Sequence, residues 1–176
     1  MQIQVVTTDE APAALLAEVH VLLTDSFGGR FSDDDWQHTV GGWHVIGSDA
    51  GAVVSHAAVV ARSIEVGAHI LSAGYVEGVA THPDRQRQGL GARVMTEAAV
   101  IIRRQFAFGV LSTSSHGFYL RLGWERWQGP TFVRTGGQLV RTEEEDDGIM
   151  VLRFRASQGV DLTDSISCDR RSGDDW

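Results

Sequence analysis

The feature that most constrains the fold is a junction between a predicted strand and a predicted helix. An apolar run, GYVEGVATHP (74–83), ends shortly before RQRQGLGARVM (85–95), which leads into the helical spacing of AAVIIRR (98–104). The junction itself holds two glycines among arginine and glutamine. Glycine lets the backbone approach a ligand closely, and a helix N-terminus presents unpaired N–H groups with partial positive charge. These residues therefore predict a phosphate-binding loop over 86–91.

Two well-known phosphate loops are excluded at this position. A dinucleotide-binding loop reads G-x-G-x-x-G and a P-loop ends in G-K-[ST], whereas this segment reads QRQGLG. A bare G-x-G also occurs in ordinary glycine-rich turns, so the loop alone leaves that alternative open.

Composition and charge narrow the class of protein. The chain has 176 residues, 43% of them hydrophobic, which fits a single domain over 1–176. Its net charge of −8 disfavours nucleic acid and anionic membranes as partners and favours cations, although acidity can also serve solubility alone. We expect no membrane span, no metal site and, with one cysteine and no recognisable export signal, a cytoplasmic location.

Periodicity predicts an α+β chain. Strands are expected at 2–8, at 43–66 as a hairpin turning at 48–51, at 68–82, at 108–115 and in the segments 124–129 and 143–156; helices are expected at 11–23, from Ser32, at 88–104 and from 116 to Gly123. Ser32 with Asp35 forms a capping-box pattern. The closing stretch from residue 161 is predicted to be irregular.

The segment QRQGLG (86–91) resembles the Q/R-x-x-G-x-G/A signature of the GCN5-related N-acetyltransferases. The resemblance implies a mixed, mostly antiparallel sheet flanked by helices and acetyl-coenzyme A as cosubstrate. It further implies that the pantetheine arm runs along the preceding strand and the pyrophosphate lies on the loop. The implied cofactor-binding residues are Val79, Thr81, Gln86, Arg87, Gln88, Gly89 and Gly91.

Several stretches resemble a narrower family, the aminoglycoside 2′-N-acetyltransferases. They are FSDDDWQHTVGGWH (31–44), GYVEGVATHP (74–83), LSTSS (111–115), DDG (146–148) and the closing CDRRSGDDW (168–176), whose terminal carboxylate is expected to join the acceptor site. The resemblance implies an aminoglycoside acceptor, and acetylation of its 2′-amine would confer antibiotic resistance. The implied acceptor-binding residues are Asp35, Glu77, Ser112, Asp146, Asp174 and Trp176.

Acetyl transfer to an amine needs a base, because a protonated amine has no lone pair. Glu77 is our candidate: a carboxylate inside an apolar strand is costly unless it has a partner or a role, although it could simply face solvent. Tyr119 is the matching general acid for the departing thiolate, with a core aromatic as the alternative, and the Val79 N–H suits the oxyanion. Direct transfer needs no protein nucleophile, so Cys168 is interpreted as inert.

The predicted acceptor residues have simpler explanations too. Asp35 completes the capping-box pattern, and the acidic run 143–147 is typical of a solvated loop. A polycationic sugar nevertheless needs several carboxylates around a cleft.

Arg30 departs from the pattern, since the family often has an acid there. It could clamp a carboxylated acceptor such as kasugamycin, or it could pair with Asp33 or Asp34 at the surface. Two other functions stay open: acetylation of another amine, on a peptide N-terminus, lysine or polyamine, and a non-catalytic module that binds acyl-coenzyme A or a drug. A homodimer is possible.

Overall fold

The computed structural model describes residues 1–155 and 157–176. The strands are β1 (Gln2–Thr7), β2 (Trp43–Asp49), β3 (Ala52–Val66), β4 (His69–Thr81), β5 (Phe108–Ser112), β6 (Glu125–Arg126), β7 (Thr131–Thr135), β8 (Gln138–Arg141), β9 (Ile149–Leu152) and β10 (Ile166–Asp169). The α-helices are α1 (Ala13–Ser26), α2 (Asp33–Thr39), α3 (Leu90–Gln105) and α4 (His116–Leu120), and short 3₁₀ turns occupy Pro83–Arg85 and Glu143–Glu145.

Contacts divide the chain into two compact units. Unit 1 comprises Met1–Val60 and Val76–Val100, and unit 2 comprises Ala61–Tyr75 and Ile101–Trp176. Strands β3 and β4 and helix α3 contribute residues to both units. The prediction of one domain over 1–176 stays a prediction, and each unit is considered by itself below.

Unit 1 is built on an antiparallel meander of β1, β2 and the first part of β3. The turn between β2 and β3 uses Ala50 and Gly51, both at positive φ, as the predicted hairpin at 48–51 requires. Helix α1 buries its Val19, Leu22 and Leu23 against the sheet, where they join a core cluster with Ile46 and Ala80. Helix α2 begins at the predicted capping box.

Unit 2 contains both parallel and antiparallel ladders. Residues 73–75 of β4 run parallel to β5, β5 pairs antiparallel with β9, and β9 pairs with β6. The end of β3 pairs antiparallel with β10, which runs parallel to β7, and β8 returns antiparallel beside β7. Every residue of β9 is buried, so this strand lies at the centre of the unit's core. The expected α+β class with a mixed, mostly antiparallel sheet is confirmed.

The prediction of an irregular closing stretch was wrong, because residues 166–169 form β10. Ile166, Ser167 and Cys168 are buried, and both backbone edges of the strand are paired, with β3 on one side and β7 on the other. Four residues among polar neighbours show too little alternation to be recognised. Strand formation here comes from tertiary pairing, which overrides local preference.

The sequence analysis also missed the β7–β8 hairpin. Its turn is Gly136–Gly137, with φ of 57° and 78°, the left-handed geometry that two-residue hairpin loops favour. The glycine pair was the available signal.

None of the helices in the described part of the chain combines the length and apolarity that crossing a bilayer requires.

Candidate active site

The predicted phosphate loop connects β4 to α3 in unit 1. Residues 86–89 are exposed, and Arg87 and Gly89 adopt positive φ, 61° and 77°. The N–H of Arg93 donates to the Gly89 carbonyl at 3.2 Å and so opens the intrahelical ladder of α3. The N–H groups of residues 90–92 precede that bond, and such first-turn groups have no acceptor inside a helix. The loop thus offers backbone donors at the positive end of a helix dipole.

Side-chain hydrogen bonds hold this loop in place. Arg85 donates to Asp49 Oδ2 at 2.7 Å and to Gln88 Oε1 at 3.1 Å, while Gln86 Nε2 donates to the Thr81 carbonyl at 3.4 Å. The hydrogen bond from Arg85 lowers the pKa of Asp49. Arg85 therefore stabilises the conformation of the loop, whereas the exposed Arg87 has a left-handed backbone conformation. A non-glycine residue in that region carries strain of the kind that clusters at ligand sites.

Strand β4 is continuous over His69–Thr81, but its backbone is irregular where Glu77 and Val79 lie. Gly78, between them, has φ of 54°, and an added Cβ would lie 2.9 Å from the Thr39 methyl. Glu77 and Val79 are both half-buried. The regular alternation that placed them on one face with Tyr75 is thus broken at Gly78. A left-handed residue inside a strand turns the neighbouring peptide groups away from the ladder direction, as β-bulges do beside active sites.

Tyr119 lies on the short helix α4 of unit 2. It is 7% exposed and packs edge to face against Phe118, at 4.9 Å between ring centroids, and Trp124, at 6.1 Å. The Trp124 N–H donates to the Tyr119 carbonyl at 3.1 Å after the chain reverses at Gly123, φ 85°. Burial raises the pKa of Tyr119 to about 12, so the phenol keeps its proton at neutral pH.

An acidic cluster, defined by Ser112, Glu145 and Asp174, lies in unit 2. The Ser112 hydroxyl donates to Glu145 Oε2 at 3.4 Å. Burial raises the pKa of Glu145, and the negative charges of Asp174, Glu144 and Asp175 raise it further, against the opposing effect of the Ser112 hydrogen bond. Three elements supply the cluster: the end of β5, the 3₁₀ turn at 143–145 and the closing segment.

Asp146, adjacent to that cluster in sequence, has a different environment. Its carboxylate forms a two-point pair with Arg141, with one contact at 2.7 Å, and accepts from the N–H and hydroxyl of Thr131 at 3.0 and 2.9 Å. The Arg141 hydrogen bond is the main cause that lowers the pKa of Asp146 to about 2. This carboxylate joins the 143–147 segment to β7 and β8.

The closing segment is held firmly by hydrogen bonds within unit 2. Arg171 donates to the carbonyl of Asp174 at 2.7 Å and to the main-chain oxygen of Trp176 at 3.3 Å, and Arg62 donates to the Asp175 carbonyl at 2.7 Å. The guanidinium groups of Arg62 and Arg171 lie 4.7 and 5.5 Å from the ring centre of Tyr75. These arginines therefore fix the segment while the Asp174 side chain stays exposed.

Two buried side chains complete that segment. The Trp176 indole is 6% exposed and donates to Thr142 Oγ1 at 3.3 Å. Cys168 is buried, and burial raises the pKa of its thiol, which keeps it in the unreactive protonated form.

The two remaining predicted acceptor residues lie in unit 1. Asp35 Oδ2 accepts from the N–H and the hydroxyl of Ser32, both at 2.8 Å, so it closes the capping box. Arg30 is exposed, and its Nε donates a long hydrogen bond, 3.5 Å, to the Phe27 carbonyl. Asp35 thus caps the N-terminus of α2, whereas the Arg30 side chain is exposed to solvent.

The structure sorts the predicted residues into two groups. The predicted cofactor-binding residues gather in unit 1 around the end of β4 and the loop, together with Glu77. Ser112, Asp174 and the aromatic Tyr119 belong to unit 2, where Ser112 and Asp174 share the acidic cluster. Glu145 was missed. Its signal was the run EEEDD, which does not reveal which of five acids turns inward.

Comparisons with known proteins identify the family of this chain. Residues 8–127 match the family model described as acetyltransferase (GNAT) domain. An aminoglycoside 2′-N-acetyltransferase from Mycolicibacterium fortuitum is 41% identical over 159 residues, which are 88% of this chain and 82% of that protein.

Solved structures show the same fold. The GNAT family N-acetyltransferase YhbS from Escherichia coli, in complex with CoA, has a TM-score of 0.67 at 20% identity over 95% of this chain and 88% of its own. Eis1 from Mycobacterium abscessus has a TM-score of 0.62 at 14% identity over 73% of this chain, which spans only 33% of that longer protein.

Proposed function

The chain belongs to the aminoglycoside 2′-N-acetyltransferase family of the GCN5-related N-acetyltransferases, and on that premise we propose that it transfers the acetyl group of acetyl-coenzyme A to the 2′-amine of an aminoglycoside. The observation that carries the proposal is the 41% identity to the Mycolicibacterium fortuitum enzyme over 88% of the chain. Acetylation converts a cationic amine into a neutral amide. We therefore expect the activity to confer resistance to the modified antibiotic.

The phosphate loop fits acetyl-coenzyme A as cosubstrate. The first-turn N–H groups of α3 and the left-handed Arg87 and Gly89 provide a cradle of donors for the pyrophosphate. Gln86, Gln88 and Gly91 complete the proposed loop contacts, and the backbone of Val79 and Thr81 would hold the pantetheine arm. The Thr81 carbonyl already accepts from Gln86 and Ser26, so we assign the pantetheine contact at this residue to its remaining groups.

Three groups of the chain would perform the transfer when acetyl-coenzyme A supplies its thioester. Glu77 accepts a proton from the acceptor ammonium, directly or through a water, so that the amine nitrogen can attack the thioester carbonyl. The Val79 N–H donates to the carbonyl oxygen as that oxygen gains charge. The carbon–sulfur bond breaks, and the Tyr119 phenol, protonated because its pKa is about 12, gives its proton to the sulfur. The nitrogen releases its second proton as the amide forms, and this proton restores the phenol directly or through a water.

The acidic cluster supports a cationic acceptor. Burial first, and the negative charges of the neighbouring acids second, raise the pKa of Glu145 and oppose its ionisation. An ammonium group placed beside this carboxylate would compensate both effects. We therefore add Glu145 to the predicted acceptor residues Ser112, Asp174 and Trp176. Asp35 and Asp146 stay predictions as acceptor ligands, and both have structural partners already.

Arg30 bears on which aminoglycoside is accepted. Its exposed guanidinium would repel a purely cationic drug and attract one that carries a carboxylate, such as kasugamycin. We propose that Arg30→Ala weakens acetylation of kasugamycin and leaves or improves that of kanamycin-type acceptors. The opposite ranking would leave Arg30 as a surface residue without a role in the reaction.

A thiol-release assay over a panel of acceptors tests the proposed function. We expect acetyl-coenzyme A to be consumed with aminoglycosides that carry a 2′-amine, and not with analogues that have a hydroxyl there. Release with peptides or polyamines but with no aminoglycoside would favour another amine as acceptor, and binding without turnover would favour a binding module. Glu77→Gln should lower the rate most at low pH, while Glu18→Gln, on the exposed face of α1, serves as its matched control.

Two further expectations concern the protein as a whole. We propose a cytoplasmic location, where acetyl-coenzyme A is available, and a possible homodimer. Cell fractionation tests the first, and light scattering of the purified protein tests the second.

A further inference from the structure

Two histidines without solvent exposure lie side by side in unit 1. His44 on β2 and His56 on β3 are each 0% exposed, and His44 Nδ1 lies 3.0 Å from His56 Nε2. Beyond them, His56 Nδ1 lies 2.7 Å from the Gly78 carbonyl, and His44 Nε2 lies 3.0 Å from Thr8 Oγ1. Four polar groups thus form one hydrogen-bonded row that ends at the backbone of β4.

The Gly78 carbonyl at one end fixes the tautomer of both histidine rings. A carbonyl only accepts, so His56 Nδ1 must carry a hydrogen and, in a neutral ring, Nε2 must then accept. His44 Nδ1 supplies that hydrogen, which leaves its Nε2 to accept from the Thr8 hydroxyl. Thr8 Oγ1 in turn accepts from the Gly41 N–H at 2.9 Å. The Gly42 carbonyl lies farther from this hydroxyl, at 3.3 Å, and already accepts from the Thr8 N–H at 2.9 Å. All donors point the same way, toward Gly78.

A second proton on His56, at Nε2, would face the N–H of His44 Nδ1, so that two donors would oppose each other. Burial is the main cause that lowers the pKa of both histidines, that of His56 to about 3. The row also ends on a carbonyl, which cannot pass a proton onward. Its chemical consequence is therefore orientation of the backbone and not proton transfer.

The oriented peptide group lies at the irregular position of β4, Gly78. The Gly78 carbonyl and the Val79 N–H are the two ends of one planar trans peptide unit, so they point in opposite directions. Gly78 has φ of 54°, a conformation that the strand ladder does not impose. A short hydrogen bond to a buried ring therefore sets the plane of this peptide and, with it, the direction of the Val79 N–H.

We propose that His56, held in its tautomer by His44, is a positioning residue that aims the Val79 N–H at the carbonyl oxygen of the acetyl group. The inference deepens the proposed acetyl transfer and rests on it. Because His56 acts through the backbone and touches no substrate, its loss should lower kcat while the acceptor KM and coenzyme A affinity stay close to wild type.

Two substitutions at one position test the proposal. Asn places an amide nitrogen where His56 has Nδ1 and can keep the donor to the Gly78 carbonyl, whereas Leu removes it. We expect His56→Leu to lower kcat about ten- to hundredfold, and His56→Asn to restore most of the loss. His69→Leu, at the exposed start of β4, is the matched control. Equal kcat values for folded Leu and Asn variants would overturn the proposal.

Nitrogen-15 NMR of the imidazoles in the full-length protein gives a readout that needs neither a variant nor an acceptor. We expect His56 to carry its hydrogen on Nδ1 and His44 likewise, with both Nε2 atoms unprotonated at pH 7. A hydrogen on His56 Nε2 would overturn the proposal, even if a variant fails to fold. If the wild-type protein acetylates no aminoglycoside while the predicted tautomers are found, the proposed function fails and the row of hydrogen bonds stands.

Discussion

The phosphate loop of unit 1 and the acidic cluster of unit 2 are built in opposite ways. The loop is a contiguous stretch, residues 86–91, whose shape comes from backbone conformation at Arg87 and Gly89 and whose donors are main-chain N–H groups. The acidic cluster draws one side chain from each of three segments more than 25 positions apart at their closest, Ser112, Glu145 and Asp174. Its shape comes from arginines that hold the closing segment in place.

This difference suits the two ligands. A pyrophosphate is the same in every acetyl-coenzyme A-dependent enzyme, so a local backbone motif is sufficient to bind it. An acceptor with several ammonium groups needs charges at set distances, which only tertiary structure can provide. We therefore expect substitutions in the loop to change cofactor affinity alone, and substitutions in the cluster to change acceptor affinity alone.

Tyr119→Phe should produce the largest effect. It tests a residue that we expect to change the rate of acetyl transfer and neither cofactor affinity nor acceptor affinity. Tyr119 belongs to unit 2, yet its proposed proton goes to the cofactor sulfur, so kcat should fall by about a hundredfold with little change in either binding constant. Because its pKa is about 12, the phenol is fully protonated between pH 6 and 10, and the loss should be uniform across that range. A loss confined to alkaline pH, measured in a pH–rate profile, would contradict the assignment.

Gly89→Val should weaken coenzyme A binding roughly tenfold to a hundredfold and leave the acceptor KM unchanged. Apart from its chain neighbours, no residue that the structure describes comes within 4 Å of the new Cβ. The effect therefore comes from φ of 77°, which a β-branched residue tolerates poorly. Calorimetry with coenzyme A provides the measurement.

Gly137→Val is a matched control for that prediction. Its φ of 78° and open surroundings reproduce the strain in the β7–β8 turn of unit 2. Equal losses of coenzyme A affinity in both variants would mean that strain alone, and not the loop, explains the result.

The same contrast explains what the sequence could and could not predict. The loop and the capping box at Ser32 were predicted because each depends on residues within a few positions of one another. Asp146 resembled an acceptor ligand in sequence, but its bonds to Arg141 and Thr131 depend on the missed β7–β8 hairpin. Glu145 is half-buried and accepts a hydrogen bond from Ser112, a tertiary contact that no local pattern encodes.

Asp174→Asn and Glu145→Gln should each raise the acceptor KM about tenfold, the usual cost of one charged hydrogen bond, without changing coenzyme A affinity. Asp146→Asn is the informative contrast. It removes the pair with Arg141, so we expect a lower melting temperature and a smaller change in the acceptor KM. Steady-state kinetics measures the effect on acceptor binding, and a thermal melt measures the effect on stability. If only Asp146→Asn raised the acceptor KM, Asp146 would be the acceptor ligand, and Asp174 and Glu145 would not.

The smallest effect we expect concerns stability in acid. The contribution of His56 in unit 1 and that of Asp146 in unit 2 should be lost in different pH ranges. His56 has a folded pKa of about 3 against an ordinary 6.5, so its contribution is complete above pH 6.5 and is lost as the pH falls toward 3. Asp146 has a folded pKa of about 2 against 3.8, so its contribution is lost only below pH 3.8. Each proton bound preferentially by the unfolded chain changes the free energy of unfolding by at most about 1.4 kcal/mol per pH unit. Urea unfolding between pH 7 and 5 should therefore show a shallower pH dependence in His56→Asn than in wild type, and no change in slope in Asp146→Asn or in the exposed control His69→Asn. If His56→Asn keeps the wild-type slope, His56 is not buried in its neutral form, and the tautomers inferred for the pair lose their physical basis.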